Sequence, residues 1–295
     1  MGSETMVADL PYNWERVKKY PQVVGDFVWS AWDYLGEACI GDWTYHSYKG
    51  LPLLAGQGMI DITGKPLASM YFMQIVWGLR KNPFIGVRPL NHAGETADTG
   101  AWQFTNAIDS WSWQGYEGAR TTVEVYADAS SVRLKLNGRE IGTKPVKKYR
   151  ASFKMAYQPG ILTAEALDEK GNVVSEHSLA TAGTETVLTA RPEKKVLRAN
   201  GRDLCYLPVE FTDREGNLKP YMEQRIEIAV KGAAALAGFG SALCKTDEGF
   251  HRNYHNAYRG RALAVIRAGR VPGRAEVMVR ATDAEPVIVE LEVRS

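Results

Sequence analysis

From about Ala119 onward the chain alternates apolar and polar residues with a period of two. That is the spacing at which successive side chains point to opposite faces of a strand. TTVEVYADASSVRLKLNGREIGTKP shows it most clearly, and its Asn137-Gly138 pair is a strong hairpin signal. ASFKMAYQPGILTAEALDEKGNVVSEHSLATAG continues the pattern, with Pro159-Gly160 and Lys170-Gly171-Asn172 at its turns. A β-sandwich of about 90 residues is predicted. From about Thr186 a second all-β stretch follows, with DLCYLPVEFTDREGNLKPY, QRIEIAVKG, GRALAVIRAG, GRAEVMVRAT and EPVIVELEV as its strands. The two stretches are not copies of one motif, so a solenoid is not expected.

Residues 1–90 read differently. Asp9 is placed to cap a helix whose first turn takes Pro11, and Pro21 ends it. VVGDFVWSAW, Val23 to Trp32, is nearly continuously apolar, as in a parallel strand covered on both faces. A polar, Gly-rich loop runs to about Asp61. GKPLASMYFMQIVWGL then predicts an apolar helix ending near Arg80. The order amounts to one and a half β/α units.

Bulk properties exclude several classes. The chain is 45% hydrophobic and 24% charged, enough to bury a core. The net charge is +2, and the 36 Lys and Arg are scattered, so no basic field for nucleic acid is present. No apolar run approaches the roughly 18 residues of a membrane span. Cys39, Cys205 and Cys244 match no zinc or CxxC spacing, and their odd count argues for thiols over a disulfide framework. No dinucleotide fingerprint, phosphate loop or GxSxG elbow occurs in a fitting context.

The candidate chemistry lies near the start. Glu4 follows a short extended segment and precedes a loop and helix, the position at which β/α barrels place catalytic groups. Trp29 and Trp32 close the apolar strand, where an indole either supports the apolar face of a sugar ring or lies in the core. Asp33 is suited to bond either substrate hydroxyls or loop backbone. His251 and His255 stand four apart, but in a turn-rich β region, so no metal site is assigned. SWSWQGYEG, with Trp111, Trp113 and Tyr116, is a candidate stacking patch or a packed cluster.

Taken together, GSET, VVGDFVWSAWDYLGE and GMIDITGKPLASMYFMQIVW resemble the last quarter of the catalytic barrel of glycoside hydrolase family 2. SWSWQGYEG, VEVYADASSVRLKLNGREIGTKP, YQPGILTAEALD and LATAG resemble the Ig-like domain that follows that barrel in many bacterial members. RANGRDLCYLPVEFTDREGN, AALAGFGSA and AYRGRALAVIRAG resemble their C-terminal sandwich. The likeness spans essentially the whole chain in the family's order.

The resemblance implies a mixed fold: a partial (β/α)8 barrel (its last two β/α units, residues 1–92), then two all-β immunoglobulin-like sandwiches, residues 93–184 and 185–295. It implies that the chain starts at strand 7 of a longer enzyme. Glu4 would be the nucleophile of a retaining exo-β-glycosidase. Trp29, Trp32 and Asp33 would line the sugar subsite. The acid/base Glu, on strand 4 of such barrels, has no match here, so an upstream segment with strands 1 to 6 is needed and the chain alone is expected to be inactive. The substrate is expected to be a carbohydrate, with no nucleic acid or membrane partner. No cofactor is required by two carboxylates, and sodium or magnesium enters by resemblance only. β-Galactosidase is the first reading. Glucuronidase relatives carry an Asn-x-Lys where this chain has LAGQG, with Ala55 and Gln57 and no cation. A buried uronate would stand unpaired there. The alternatives are a β-mannosidase or β-glucuronidase relative, and a non-catalytic carbohydrate-binding or structural module. Localisation is open, with export expected only if a signal peptide precedes this stretch.

Overall fold

The computed structural model describes residue 2 and residues 4–295, so Ser3 of the GSET motif lies outside the described residues. The chain forms two compact units, dividing between Thr181 and Ala182.

The first unit opens with helix α1 (Leu10–Lys19), Pro11 in its first turn as expected. Asp9 precedes the helix, but its side chain makes no cap bond. Its backbone is already helical, at φ −91° and ψ −6°, because a 3-10 turn over Val7–Asp9 leads into α1. Capping geometry needs an extended residue at that point. β1 (Trp43–Tyr45) and the two-residue β2 (Leu51–Pro52) follow, then helix α2 (Ala68–Val76). α2 is shorter than the sequence suggests. Trp77 caps it, Gly78 turns the backbone at φ +74°, and Leu79 is exposed.

The expected covered strand from Val23 to Trp32 is corrected. It forms only two single parallel bridges, Thr5 with Val28 and Trp32 with Ile60. Val24 is 86% exposed, and Phe27 and Trp32 are also exposed. An apolar run becomes a buried strand only when ladders flank it and layers cover it. Among the described residues neither is supplied. α2, by contrast, is covered. Phe72, Met73, Ile75 and Val76 are buried in one cluster with Leu10, Phe84 and Tyr126.

Phe84 belongs to β3 (Phe84–Val87), and β4 (Ala97–Thr99) pairs antiparallel with β1. The first sandwich is then completed by β5 (Arg120–Tyr126), β6 (Ser131–Leu136), β7 (Arg139–Pro145), β8 (Arg150–Ala156), β9 (Ile161–Leu167) and β10 (Val173–Ala180). One sheet has the order β3-β5-β8, the other β10-β9-β6-β7. β6 shows the predicted alternation, with Val132, Leu134 and Leu136 inward. Asn137 and Gly138 join β6 to β7 at φ +51° and +78°. Two positive φ values in succession define the hairpin turn that matches strand twist.

Trp111 and Trp113 are completely buried in this unit. The Trp111 indole donates to Gln158 O at 3.0 Å and meets the Tyr157 ring edge-on at 4.9 Å. They are packing residues, which removes the stacking-patch alternative.

The second unit is also a sandwich. Its strands are β11 (Val187–Ala190), β12 (Val196–Arg198), β13 (Leu204–Thr212), β14 (Arg225–Gly232), β15 (Ala234–Gly240), the short β16 (Lys245–Thr246), β17 (Tyr254–Asn256), β18 (Arg261–Ala268), β19 (Gly273–Ala281) and β20 (Ala284–Arg294). The sheets have the orders β11-β13-β18-β15 and β12-β20-β19-β14-β17. Leu207, Val209, Phe211, Ile266, Val277 and Leu291 lie in the core between them. Each such side chain stabilises by about 1.5–3 kcal/mol through burial. Cys205 is a buried free thiol. Cys39 and Cys244 are not free thiols, which corrects that expectation for both. His255 is buried, stacked on Phe250 and next to Glu248. No cluster of three metal-type side chains exists among the described residues.

Candidate functional site

Glu4 is exposed, and the residue after it is tightly held. Thr5 is buried, and its hydroxyl donates to Asp26 Oδ1 at 2.6 Å. Asn13 Nδ2, one turn into α1, donates to the same hydroxyl at 2.9 Å. Thr5 O accepts from Trp29 N at 3.1 Å, beside the Thr5–Val28 bridge. The backbone that carries Glu4 is therefore fixed by a helix on one side and by the Trp29 segment on the other.

Trp29 is 44% exposed, and its bond to Ser30 is cis. Its indole N–H donates to the Tyr34 hydroxyl at 3.0 Å, and the two rings meet edge-on at 6.0 Å. The same hydroxyl accepts from Gln57 Nε2 at 2.9 Å and donates to Glu37 Oε2. One donor and two acceptor positions of a phenol are thus all used. Burial and the Glu37 carboxylate push the Tyr34 phenol up. Gln57 is buried, and its Oε1 has no partner among the described residues.

Asp33 is buried at the end of this segment. Its carboxylate accepts from Gly56 N at 2.9 Å, with backbone N–H groups of Tyr34, Gln57 and Gly58 also bonded to it. Burial raises its pKa, opposed by those backbone bonds. Its carboxylate is thus engaged by the loop backbone. Gly58 lets the segments touch: a Cβ there would lie 2.2 Å from Asp33 N. Trp32 is exposed, with its ring over Gly64.

Glu4, Trp29, Trp32 and Asp33 thus fall in one region of the first unit, through the Thr5–Val28 and Trp32–Ile60 bridges. Sequence reading did not single out Asn13, Asp26 or Tyr34 as supports, and Glu37 entered it only as a loop residue. The three-residue spacing of Tyr34 and Glu37 was the one local signal available.

The description "Glycoside hydrolase family 2 C-terminal domain 5" matches residues 188–290. A domain of unknown function (DUF4982) matches residues 118–175. β-Galactosidase BoGH2A of Bacteroides ovatus is 27% identical over 259 residues, 86% of this chain and 27% of that protein. A putative β-glucuronidase of Formosa agariphila is 27% identical over 225 residues, 74% of this chain and 19% of that protein. The crystal structure of a glycosyl hydrolase family 2 member from Bacteroides cellulosilyticus superposes with TM-score 0.86 at 27% identity, covering 99% of this chain and 39% of that one. The chain spans about a fifth to a quarter of the length of these two curated relatives. Fold and relatives together define part of a glycoside hydrolase. By sequence and fold the chain matches the C-terminal part of glycoside hydrolase family 2 proteins.

Proposed function

We propose that these residues complete the active site of a retaining exo-β-glycosidase, with terminal β-galactosides as substrates. In this reading residues 1–92 are the end of a catalytic barrel, and residues 93–184 and 185–295 are the sandwiches behind it. Glu4 attacks the anomeric carbon as the aglycone leaves with a proton from a second carboxyl group. That group then takes a proton from the water that releases the sugar. Retaining enzymes hold the two groups roughly 5–5.5 Å apart. The second one belongs to barrel strands that this stretch does not supply, so the 295 residues alone do not turn over substrate.

The observation that carries the reading is the fixation of the Glu4 backbone, through Thr5, against the Trp29 segment. A nucleophile needs such a backbone, since small misplacements are costly in rate. Trp29 offers its exposed ring to the sugar, Trp32 flanks it, and Asp33 positions the 56–58 backbone. The absence of a cation at Ala55 and Gln57 favours a neutral sugar over a uronate.

The test uses the longer protein that contains this stretch. A 2-deoxy-2-fluoro-β-galactoside should trap a glycosyl-enzyme, and peptide mass spectrometry should find the label on Glu4. Glu4→Gln should abolish both labelling and turnover. A label on any other residue overturns the assignment. Faster trapping by the mannoside or glucuronide analogue overturns the choice of sugar.

A further inference from the structure

Three turns of the second unit meet at one end of its sandwich. Gly201 N donates to Gly269 O at 3.2 Å, and Gly269 N donates to Ala233 O at 2.7 Å. Between them lies a concavity of about 740 Å³, walled by Gly and Ala, with Arg267 and Arg270 as its charged side chains. The glycines keep it open and tightly sewn. A Cβ on Gly269 would sit 2.8 Å from Ala233 O. Gly201, at φ +71°, lies directly under Arg270, whose Cγ and Nε would be 3.0 and 3.2 Å from an added Cβ.

Neither guanidinium has a hydrogen-bond or ion-pair partner among the described residues. The strand register explains why for Arg267, whose neighbours across the ladder are Leu204 and Ala235. On the same strand, Arg261 is paired with Glu210 at 2.8 Å. The nearby Asp203 is already taken by Lys194 at 2.7 Å and by the backbone N–H of Arg198. Tyr206 is exposed, opposite Val265 and so one diagonal step from Arg267 on the outward face of β13 and β18. Two free planar forks beside an apolar wall and an exposed ring suit a ligand that is both anionic and ring-shaped. The volume falls in the range of small-molecule sites and exceeds what a bare inorganic anion needs.

We propose that this concavity binds an acidic carbohydrate. Arg267 and Arg270 take its carboxylate or sulfate group, and its ring rests on the small-residue wall towards Tyr206. The site is non-catalytic and stands or falls independently of Glu4. It would hold an anionic stretch of a polysaccharide while a neutral terminal sugar is processed elsewhere.

Affinity electrophoresis of the full chain tests it, with polygalacturonate, dextran sulfate or neutral dextran in the gel. The chain should be retarded by one or both anionic polymers and not by neutral dextran. Which polymer retards it identifies carboxylate or sulfate as the recognised group. Arg267→Ala/Arg270→Ala should weaken that binding roughly ten-fold or more. Lys154→Ala/Lys170→Ala, which removes the same charge from exposed positions of the first unit, should bind like the unaltered chain. An unchanged melting temperature shows that the exposed arginine variants fold. No retardation by either polymer, full binding by the arginine variant, or equal loss in the lysine control each overturns the proposal.

Discussion

Gln57 donates its side-chain N–H to the Tyr34 hydroxyl at 2.9 Å while its own Oε1 lies buried without a partner among the described residues. Among the described residues the hydroxyl is that amide's hydrogen-bond partner, and it also receives the Trp29 indole. Tyr34→Phe should therefore leave two donors unmet at once. A destabilisation of about 1–3 kcal/mol is expected, read from urea unfolding. Wild-type stability in this variant would mean that the hydroxyl is not what orders Gln57 and Trp29.

In the proposed mechanism Thr5 positions Glu4 without touching substrate. Thr5→Val keeps the shape and removes the hydroxyl that joins Asn13 to Asp26. In the longer protein, kcat should fall roughly ten- to a hundred-fold with KM little changed. Steady-state kinetics on an aryl β-galactoside checks this, and a change confined to KM would argue against a positioning role.

Trp111 and Trp113 are equally buried but differently bonded. Trp111 Nε1 donates to Gln158 O, whereas Trp113 Nε1 has no partner among the described residues. Trp111→Phe should thus destabilise more than Trp113→Phe, by about 1–2 kcal/mol. Paired urea curves decide it, and the reverse order would contradict the bonding described.

Glu165 supplies a pH dependence. Burial pushes its carboxyl up, but Lys135 and Arg133 outweigh that and hold it below the ordinary 4.5. Arg133 is its ladder neighbour and bonds it at 2.6 Å. A folded value below the unfolded one means that the contribution is complete above pH 4.5 and is lost as pH falls further. Between roughly pH 5 and pH 3, wild type should lose more stability than Glu165→Gln. Parallel losses would show that the two cations do not stabilise the carboxylate.

The sandwiches were legible because their information is local. Alternation in β6 and the Asn137-Gly138 turn need only a few adjacent residues to be read. Val23 to Trp32 was misread because apolarity states a demand for covering and cannot say what meets it. Trp111 and Trp113 look the same in sequence whether presented or packed. The Tyr34–Gln57 bond joins positions 23 residues apart, with no periodicity to announce it. The family order of motifs placed Glu4 and Trp29 in one region, while Asn13 and Asp26 became visible only as contacts.

The cluster that joins Phe72, Phe84 and Tyr126 sets where this polypeptide can be dissected. β3 is the edge of the β3-β5-β8 sheet, and its Phe84 pairs with Tyr126. A gene trimmed to begin just after β3 would express the first sandwich without that edge and with Tyr126 stripped of Phe72 and Phe84. Such a product would tend to precipitate or to recruit a substitute strand. Anyone dividing the protein for separate expression should start upstream of α2 or downstream of Thr181.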